Sequence, residues 1–558
     1  MREKKAKALF FCGSLVSVAV VVIVTVLVLG KSVRFEYKRP DFARISEYID
    51  ELDTSMTSVD VEEYRKRYGE LNEMLTEVFT ESRILMINMN NDVTSGELLA
   101  EYEEFYSDYS RLYRRYAEYL NRLMQEGVYD RLAENRSEEE RISDLDCLNI
   151  LNDDYAECLI RQKELVKDYY AERAEGHVLI DGNSFLLSDI VDSESYSTEE
   201  KTEYVKDAYK LYYDHVKDIY LKIIANNKRM AASVGYDSYY SYIEKVSFHR
   251  SPGENTKRSI REWIKDTVVP LYIELFNDLS MDEVNALVKQ QYDSESVKDT
   301  IEKGLASLSD SCKDKFCKLD ERGLLQFDDA KGRSKSNYTT YLFSYGVPYV
   351  SVYRTGFYTD ISGMLHEFGH AYGYEVSGAN IETNMDVFEA LAQSMNGIFW
   401  ADRFHSRGAD TEIRVNTLNI LQMAVLSAVY DEFEERVYAA NVRSAAELDN
   451  MFCEIVNSYG LGSDSGMGVG NWSDNMLLFE NPFYYSHYLY SSVPALIIFS
   501  QAMEDMDRAK TMLFDELIDC ANCDIAETIE RLSGIRDDDL SVCLRQVANN
   551  IKKYLQYG

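Results

Sequence analysis

The chain of 558 residues is longer than one hydrophobic core normally organises and corresponds to roughly two to four domain-sized units. Its 46% hydrophobic and 12% aromatic residues can fill such cores, which excludes wholesale disorder. With 96 acidic against 60 basic residues, the formal charge of −36 repels phosphate backbones and argues against nucleic-acid partners. Only 6 prolines and 27 glycines are available for turns, and this sparsity predicts a mainly α-helical protein.

The N-terminal segment predicts a membrane anchor. Residues 8–30 form an uncharged apolar stretch longer than the roughly 18 residues that identify a bilayer-spanning helix. The basic residues before it also fit a cleaved secretory signal, but the stretch exceeds a usual signal core and no A-x-A cleavage site follows it. We therefore predict an uncleaved transmembrane signal anchor within residues 1–33.

The orientation of this anchor rests on the size of the following chain more than on charge. Lys and Arg residues flank the span equally, whereas long domains are translocated largely regardless of their charge. We expect the N-terminus inside and the acidic remainder outside, as in a single-pass cell-membrane protein. If this portion is exported, its cysteines can either form disulfides or remain buried free thiols. They are Cys147, Cys158, Cys312, Cys317, Cys453, Cys520, Cys523 and Cys543.

Helical periodicity dominates the chain after this anchor. From about residue 60 to residue 175, tyrosines and leucines recur at helical spacing with few helix breakers. Turn residues interrupt the pattern between Gly176 and Ser197, which predicts a helical N-terminal lobe at 34–198 and a second domain at 199–558. One apolar stripe predicts helix packing rather than an aromatic ligand platform, and it consists of Tyr102, Phe105, Tyr106, Tyr109, Leu112, Tyr113, Tyr116 and Leu120.

A short strand followed by a helix is predicted in the middle of the chain. Tyr349–Tyr353 is an alternating, β-branched run that follows Gly346 and Pro348. A helix is expected to begin near Asp360, and it carries residues that are typical of metal chemistry.

His366, Glu367 and His370 form an H-E-x-x-H motif on this helix. Positions four apart lie one turn above each other, so both imidazoles point to the same place and provide two ligands of a tetrahedral zinc ion. Glu367 projects beside them and can take a proton from a metal-bound water. A chance match is rare in a chain with only 7 histidines. The motif therefore predicts one zinc ion per chain.

A catalytic zinc ion needs a third protein ligand and an open position. No histidine follows at the spacing of an extended motif, so a carboxylate from a later helix is expected. Glu375 continues the same helix and is too close, which leaves Glu382 and Glu389 as candidates. Glu382 with Asp386 would supply a ligand and a supporting carboxylate. Spacing favours Glu389 modestly, because a turn is needed before a second helix can pack back.

Several stretches resemble the thimet oligopeptidase/oligoendopeptidase F family of zinc metallopeptidases. They are NNKRMAASVGYDSYYSYI at 226–243, the strand and helix segment at 334–371, GMLHEFGHAYG at 363–373, DVFEALAQSMN at 386–396 and ENPFYYSHYLYSSVPAL at 480–496. The resemblance covers about residues 200–558 and is weaker over 60–180. It selects Glu389 as the third zinc ligand, because this glutamate stands in the family's second metal-binding helix.

The resemblance implies an elongated, bilobal helical fold with a small β element beside the zinc helix and a channel that admits short unstructured peptides. Glu367 would be the general base, and zinc would polarise the scissile carbonyl. Tyr349–Tyr353 could bind the peptide backbone by strand addition. Tyr488, and after it Tyr485, would donate to the oxyanion, although core packing is the alternative for each.

One family feature is missing. The family has a histidine about twelve residues before the tyrosine that corresponds to Tyr488, and Met476 or Leu477 stands at that position here. His487, directly beside Tyr488, is interpreted as a packing or channel residue. This departure predicts an active but slow enzyme. The predicted function is a membrane-anchored zinc oligopeptidase that cuts internal bonds of short peptides. The alternative is a non-catalytic peptide-binding surface protein, which would have no need of Glu367.

Overall fold

The structure is a computed structural model. It describes residues 35–56, 60–132, 138–174, 177–180, 183–186, 190, 193, 195–250, 254–462, 471–534 and 540–557. The signal anchor predicted within residues 1–33, with its span at 8–30, lies outside these ranges. Within them, no helix combines the length and the apolar character that crossing a bilayer requires.

Helices account for most of the described residues, so the mainly α fold that the composition predicted is confirmed. In chain order the helices are α1 (Phe42–Ser55), α2 (Val61–Asn91), α3 (Gly96–Gln125), α4 (Tyr129–Leu132), α5 (Glu138–Cys147), α6 (Asp153–Ala174), α7 (Thr198–Ser233), α8 (Tyr239–Tyr242), α9 (Glu254–Trp263), α10 (Val269–Asn277), α11 (Met281–Lys289), α12 (Ser294–Leu308), α13 (Asp310–Glu321), α14 (Thr359–Ser377), α15 (Met385–Arg407), α16 (Thr411–Ala439), α17 (Ala445–Ser458), α18 (Leu477–Glu480), α19 (Tyr485–Glu504), α20 (Met506–Thr511), α21 (Leu517–Asp519), α22 (Ile525–Ser533) and α23 (Leu540–Tyr557). Short π-helical or 3₁₀ turns connect or extend some of them, at Leu148–Leu151, Ile243–Ser247, Ile264–Val268, Phe343–Tyr345, Ala379–Thr383, Trp472–Asp474 and Met512–Glu516.

The described chain divides into two compact units, each assembled from separate segments. The first unit contains the described residues up to Leu148, Phe248–Ala424 and the residues from His487 onward. The second unit contains Asn149–Ser247 and Val425–Ser486. The domain boundary at 198/199 stays a prediction.

The apolar stripe on α3 packs inside the first unit. Ser95 accepts a hydrogen bond from the backbone N–H of Leu98 and so caps the start of this helix. The helix-packing interpretation is confirmed by burial of four stripe residues, namely Phe105, Leu112, Tyr116 and Leu120. The other four stripe tyrosines are half-buried.

In the described part of the chain, two small sheets accompany the helices. In the second unit, β1 (His177–Ile180) and β2 (Asn183–Leu186) form an antiparallel pair. In the first unit, β3 (Leu325–Asp328), β4 (Tyr338–Leu342) and β5 (Val347–Tyr353) form a sheet in the order β3-β5-β4. β5 runs parallel to β3 and antiparallel to β4, and it packs against α14. The small β element expected beside the zinc-motif helix is therefore present.

The strand predicted at Tyr349–Tyr353 is confirmed as part of β5, but the substrate-binding role suggested for it is wrong. Val350 pairs with Leu325 on one side and with Thr339 on the other, so β5 is the central strand. Because β3 pairs with β5 over Val350–Tyr353 and β4 pairs with it over Val347–Ser351, neither edge offers a continuous run of free backbone groups to which a peptide could add.

The seven cysteines whose side chains the structure describes are free thiols, namely Cys147, Cys158, Cys312, Cys317, Cys453, Cys520 and Cys523. Burial raises the pKa of Cys523 to about 12 and also raises the pKa of Cys520. For these seven cysteines the structure therefore shows free thiols and not disulfides. The side chain of Cys543 lies outside the described part of the chain.

Candidate metal centre

The helix that carries the H-E-x-x-H motif is held at its start by a short loop. Asp360 accepts hydrogen bonds from the backbone N–H groups of Thr355 and Gly356, at 3.0 and 2.9 Å. These contacts close the connection from β5, and α14 begins at Thr359, one residue before the predicted start. The motif therefore lies on a helix that follows a buried strand, as the sequence predicted.

A second helix brings Glu389 to the two histidines. Asn384 caps the start of α15 by accepting a hydrogen bond from the backbone N–H of Val387. The two helices approach closely because Gly369 has no side chain: a Cβ there would lie 2.5 Å from the Cα of Ala392. Glycine inside the motif thus permits the packing that places Glu389 beside His366 and His370.

Three side-chain atoms converge at this helix pair. Oε2 of Glu389 lies 3.4 Å from Nε2 of His366 and 3.6 Å from Nε2 of His370. Ligand atoms about 2.0–2.1 Å from a tetrahedral zinc ion are about 3.4 Å apart. Two imidazole nitrogens and one carboxylate oxygen are also a donor set of catalytic zinc sites. His366, His370 and Glu389 therefore fit a zinc ion.

Glu382, the other candidate ligand, is engaged elsewhere. It accepts a hydrogen bond from the hydroxyl of Tyr374, and Nη2 of Arg83 lies 3.8 Å from its Oε2. Glu382 precedes α15 in the turn Ala379–Thr383, whereas Glu389 lies one turn inside that helix. The structure thus brings Glu389, and not Glu382, together with the histidines.

Burial shifts the pKa values of two motif residues, Glu367 and His370. Glu367 is 7% exposed, and desolvation raises the pKa of its carboxyl to about 7. The hydroxyl of Thr339 on β4 lies 2.8 Å from Oε2 of Glu367 and 2.9 Å from its backbone oxygen, so it can donate to either. Burial lowers the pKa of His370 to about 4, which keeps its imidazole neutral and able to bind a metal.

Solved structures with a similar fold are described as peptidases, several of them as oligoendopeptidase F. A protein assigned as an oligoendopeptidase F aligns with a TM-score of 0.74 at 18% identity, over 95% of this chain and 99% of its own. This chain has the oligoendopeptidase F fold. PZ peptidase A, solved with an inhibitor, gives a TM-score of 0.73 at 16% identity, over 94% of this chain and 99% of its own. A protein from Bacillus anthracis strain Ames, also assigned as an oligoendopeptidase F, gives a TM-score of 0.70 at 18% identity, over 94% of this chain and 97% of its own.

The resemblance read from the sequence motifs is therefore confirmed at the level of the oligoendopeptidase fold. Comparison of the sequence with models of protein families finds no match, and a search of curated proteins finds none either. The similarity to these proteins is therefore clear in the tertiary structure, whereas in the sequence it is limited mainly to short motifs.

The two tyrosines chosen as oxyanion donors lie in different units. Tyr485 belongs to the second unit, where its hydroxyl accepts a hydrogen bond from Nδ2 of Asn475 at 2.9 Å and its ring packs on Tyr430 at 4.7 Å. Tyr488 belongs to the first unit, with the metal centre, and is half-buried. The catalytic role of each stays a prediction. Leu477, where the family histidine was sought, begins α18 in the second unit.

Sequence reasoning missed two polar contacts of this centre. Thr339 reaches Glu367 from β4, and Arg250 binds Asp386 one helical turn before Glu389. Thr339 lies in the family-like segment at 334–371, but nothing in that pattern assigns it a role, and Arg250 lies outside the family-like segments. Both contacts join residues on separate elements, so local sequence patterns do not predict them. His487, interpreted as a packing or channel residue, is 2% exposed and contacts the same Asp386.

Proposed function

We propose that this protein is a membrane-anchored zinc metallopeptidase that hydrolyses internal bonds of short, unstructured peptides. The observation that carries the proposal is the convergence of His366, His370 and Glu389 beside the buried carboxyl of Glu367. The oligoendopeptidase F fold supports it, because the structures that share this fold are described as peptidases.

His366, His370 and Glu389 would hold the zinc ion, which when bound supplies Lewis acidity toward a peptide carbonyl and lowers the pKa of a coordinated water. Glu367 accepts a proton from the attacking water and returns it to the leaving amine. Burial raises the pKa of this carboxyl from its ordinary value toward the range in which a general base can both take and return a proton. The hydroxyl of Thr339 can donate to Oε2 of Glu367, and we assign Oε1, which lacks this contact, as the atom that carries the proton.

The backbone of the peptide binds along β4. This strand is at an edge of its sheet, and its Thr339 contacts Glu367, so an added strand would lie next to the general base. Strand addition uses main-chain hydrogen bonds and therefore accepts many sequences. Tyr488 donates its hydroxyl to the developing oxyanion, with Tyr485 as the second choice.

The test of this function compares one cleavable sequence in three forms: short quenched peptides, the same segment inside a folded protein, and that protein unfolded. We expect the peptides and the unfolded chain to be cut and the folded protein to resist, because a folded backbone is not available for strand addition. Zinc per chain is measured on the same sample. Efficient cutting of the native protein would contradict this substrate class. Zinc-loaded protein that binds the peptides without cutting them would instead indicate the non-catalytic binding protein.

Residues 8–30 anchor the protein in the cell membrane and leave the acidic remainder outside. Protease added to intact cells should therefore digest the portion after residue 33, and alkaline carbonate should leave the undigested protein in the membrane. Permeabilised cells are the control for protease access. Protection of this portion in intact cells would place it inside, and its release by carbonate would contradict the anchor.

A further inference from the structure

A buried network of charged and polar side chains lies next to the metal centre in the first unit. Nε of Arg250 donates to Oδ2 of Asp386 at 2.8 Å, and Nη2 of Arg250 contacts Oδ1. Nδ1 of His487 lies 2.7 Å from Oδ1 of Asp386 and 2.7 Å from Nη2 of Arg250. The side chains are only 9%, 7% and 3% exposed for Arg250, Asp386 and His487.

The network contains the ion pair of Arg250 and Asp386, and aromatic rings lie on the guanidinium of Arg250. The guanidinium of Arg250 lies 4.8 Å from the ring centre of Phe248 and 4.6 Å from that of Tyr490. Burial opposes ionisation of Asp386, but Arg250 and His487 lower its pKa to about 2, so the carboxylate stays charged. A buried ion pair seldom adds net stability, because desolvation offsets the Coulomb attraction. Net stability alone therefore does not account for this network.

The network joins the two helices that carry the proposed active-site groups. Asp386 on α15 contacts His487 on α19, and Nε2 of Gln393 on α15 donates to Oγ of Ser491 on α19 at 2.8 Å. From the first contact to the second, the residue number rises on α15 and also on α19. The two helices therefore run in the same direction.

Glu389 and Tyr488 each lie between these two contacts along their helices. Glu389 follows Asp386 by one helical turn, and Tyr488 directly follows His487. The two contacts therefore restrict how far α15 and α19 can slide past each other at the level of these groups. A displacement of about 1 Å in a catalytic group is enough to cost about 10²-fold in rate.

We propose that Arg250, Asp386 and His487 are positioning residues that hold Glu389 and Tyr488 in one arrangement about the metal centre. This inference rests on the proposed function and adds residues to it that are neither the proposed metal ligands nor the proposed oxyanion donors. Groups that orient metal ligands from outside typically change affinity or activity about 10- to 100-fold when they are removed.

The first test removes the contact of His487 and then restores it. His487→Leu should lower kcat about 10- to 100-fold, with KM changed less than about 3-fold and zinc content unchanged. His487→Asn places a polar atom near the position of Nδ1 and should recover kcat to within about 3-fold of wild type. The matched control is His405→Leu, which removes another contact between α15 and α19, from Nε2 of His405 to the backbone oxygen of Ala502 at 2.7 Å. It should change the melting temperature and leave kcat as it is.

Two results would overturn the positioning role. One is a wild-type kcat in His487→Leu, and the other is a loss of kcat that His487→Asn does not restore. A role in stability alone predicts that His487→Leu and His405→Leu lower the melting temperature alike without a change in kcat.

A second test reads the metal centre without any peptide. Asp386→Asn should weaken Co²⁺ binding about 10- to 100-fold and alter the visible spectrum of the bound ion, whereas His405→Leu should do neither. If Asp386→Asn does not fold, the double variant with Arg250→Met removes the unpaired charge and serves the same measurement. Unchanged binding and spectrum overturn the positioning of Glu389. A wild type that binds Co²⁺ and cuts no peptide contradicts the peptidase alone, and a wild type that binds no Co²⁺ overturns both proposals.

Discussion

Glu367→Gln should abolish most peptide hydrolysis while the protein keeps its zinc. Gln has the shape of the glutamate and can still accept the hydrogen bond from Thr339, but it cannot take a proton from water. Loss of a general base lowers the rate by about 10²–10⁴-fold. The measurement is kcat on a quenched peptide together with zinc per chain on the same preparation.

Glu375→Gln is the matched control for this change. Glu375 lies further along α14 and pairs with Lys315 at 2.7 Å, away from the three converging ligand atoms. The same substitution there should leave kcat at the wild-type level. A Glu367→Gln variant that cuts peptides as fast as wild type would remove Glu367 from the mechanism and leave the zinc site to be explained by another function.

Glu389→Ala should remove the metal, whereas Glu382→Ala should retain it. Oε2 of Glu389 is within 3.6 Å of both imidazoles, but Glu382 is bound to Tyr374. Loss of a direct ligand should weaken zinc by more than the roughly 10- to 100-fold typical of a supporting partner. Zinc per chain after dialysis against a weak chelator distinguishes the two variants.

Thermal unfolding offers a second readout of this pair. A metal that binds only the folded chain raises the melting temperature, so a chelator should lower it in wild type and in Glu382→Ala. Glu389→Ala should no longer respond to the chelator. If Glu382→Ala loses the metal and Glu389→Ala keeps it, the third ligand has been assigned to the wrong residue.

Local patterns in the sequence were sufficient to predict the site residues that lie together on one helix. His366 and His370 are four residues apart, and the helical repeat alone makes their side chains neighbours. The preceding strand was predictable for a similar reason, because alternation of β-branched residues is a local property. The mainly helical class followed from the scarcity of Pro and Gly in the whole chain.

Contacts between separate elements required the tertiary structure. Spacing favoured Glu389 over Glu382 only modestly, and the resemblance to the family selected it. Its position beside the histidines depends on how the turn Ala379–Thr383 ends and on the close approach at Gly369. The order of strands decided that β5 is central, because β3 and β4 pair with it from both sides.

The sequence by itself therefore determined the helical class, the strand before the zinc-motif helix, and the two histidines and the glutamate of that motif. The resemblance to the family selected Glu389, and the structure places it beside the histidines. Only the tertiary structure decided that Arg250, Asp386 and His487 meet in one buried network. The physical reason is that side chains within one helix are related by its fixed repeat, whereas partners more than a hundred residues apart meet only through the packing of whole elements.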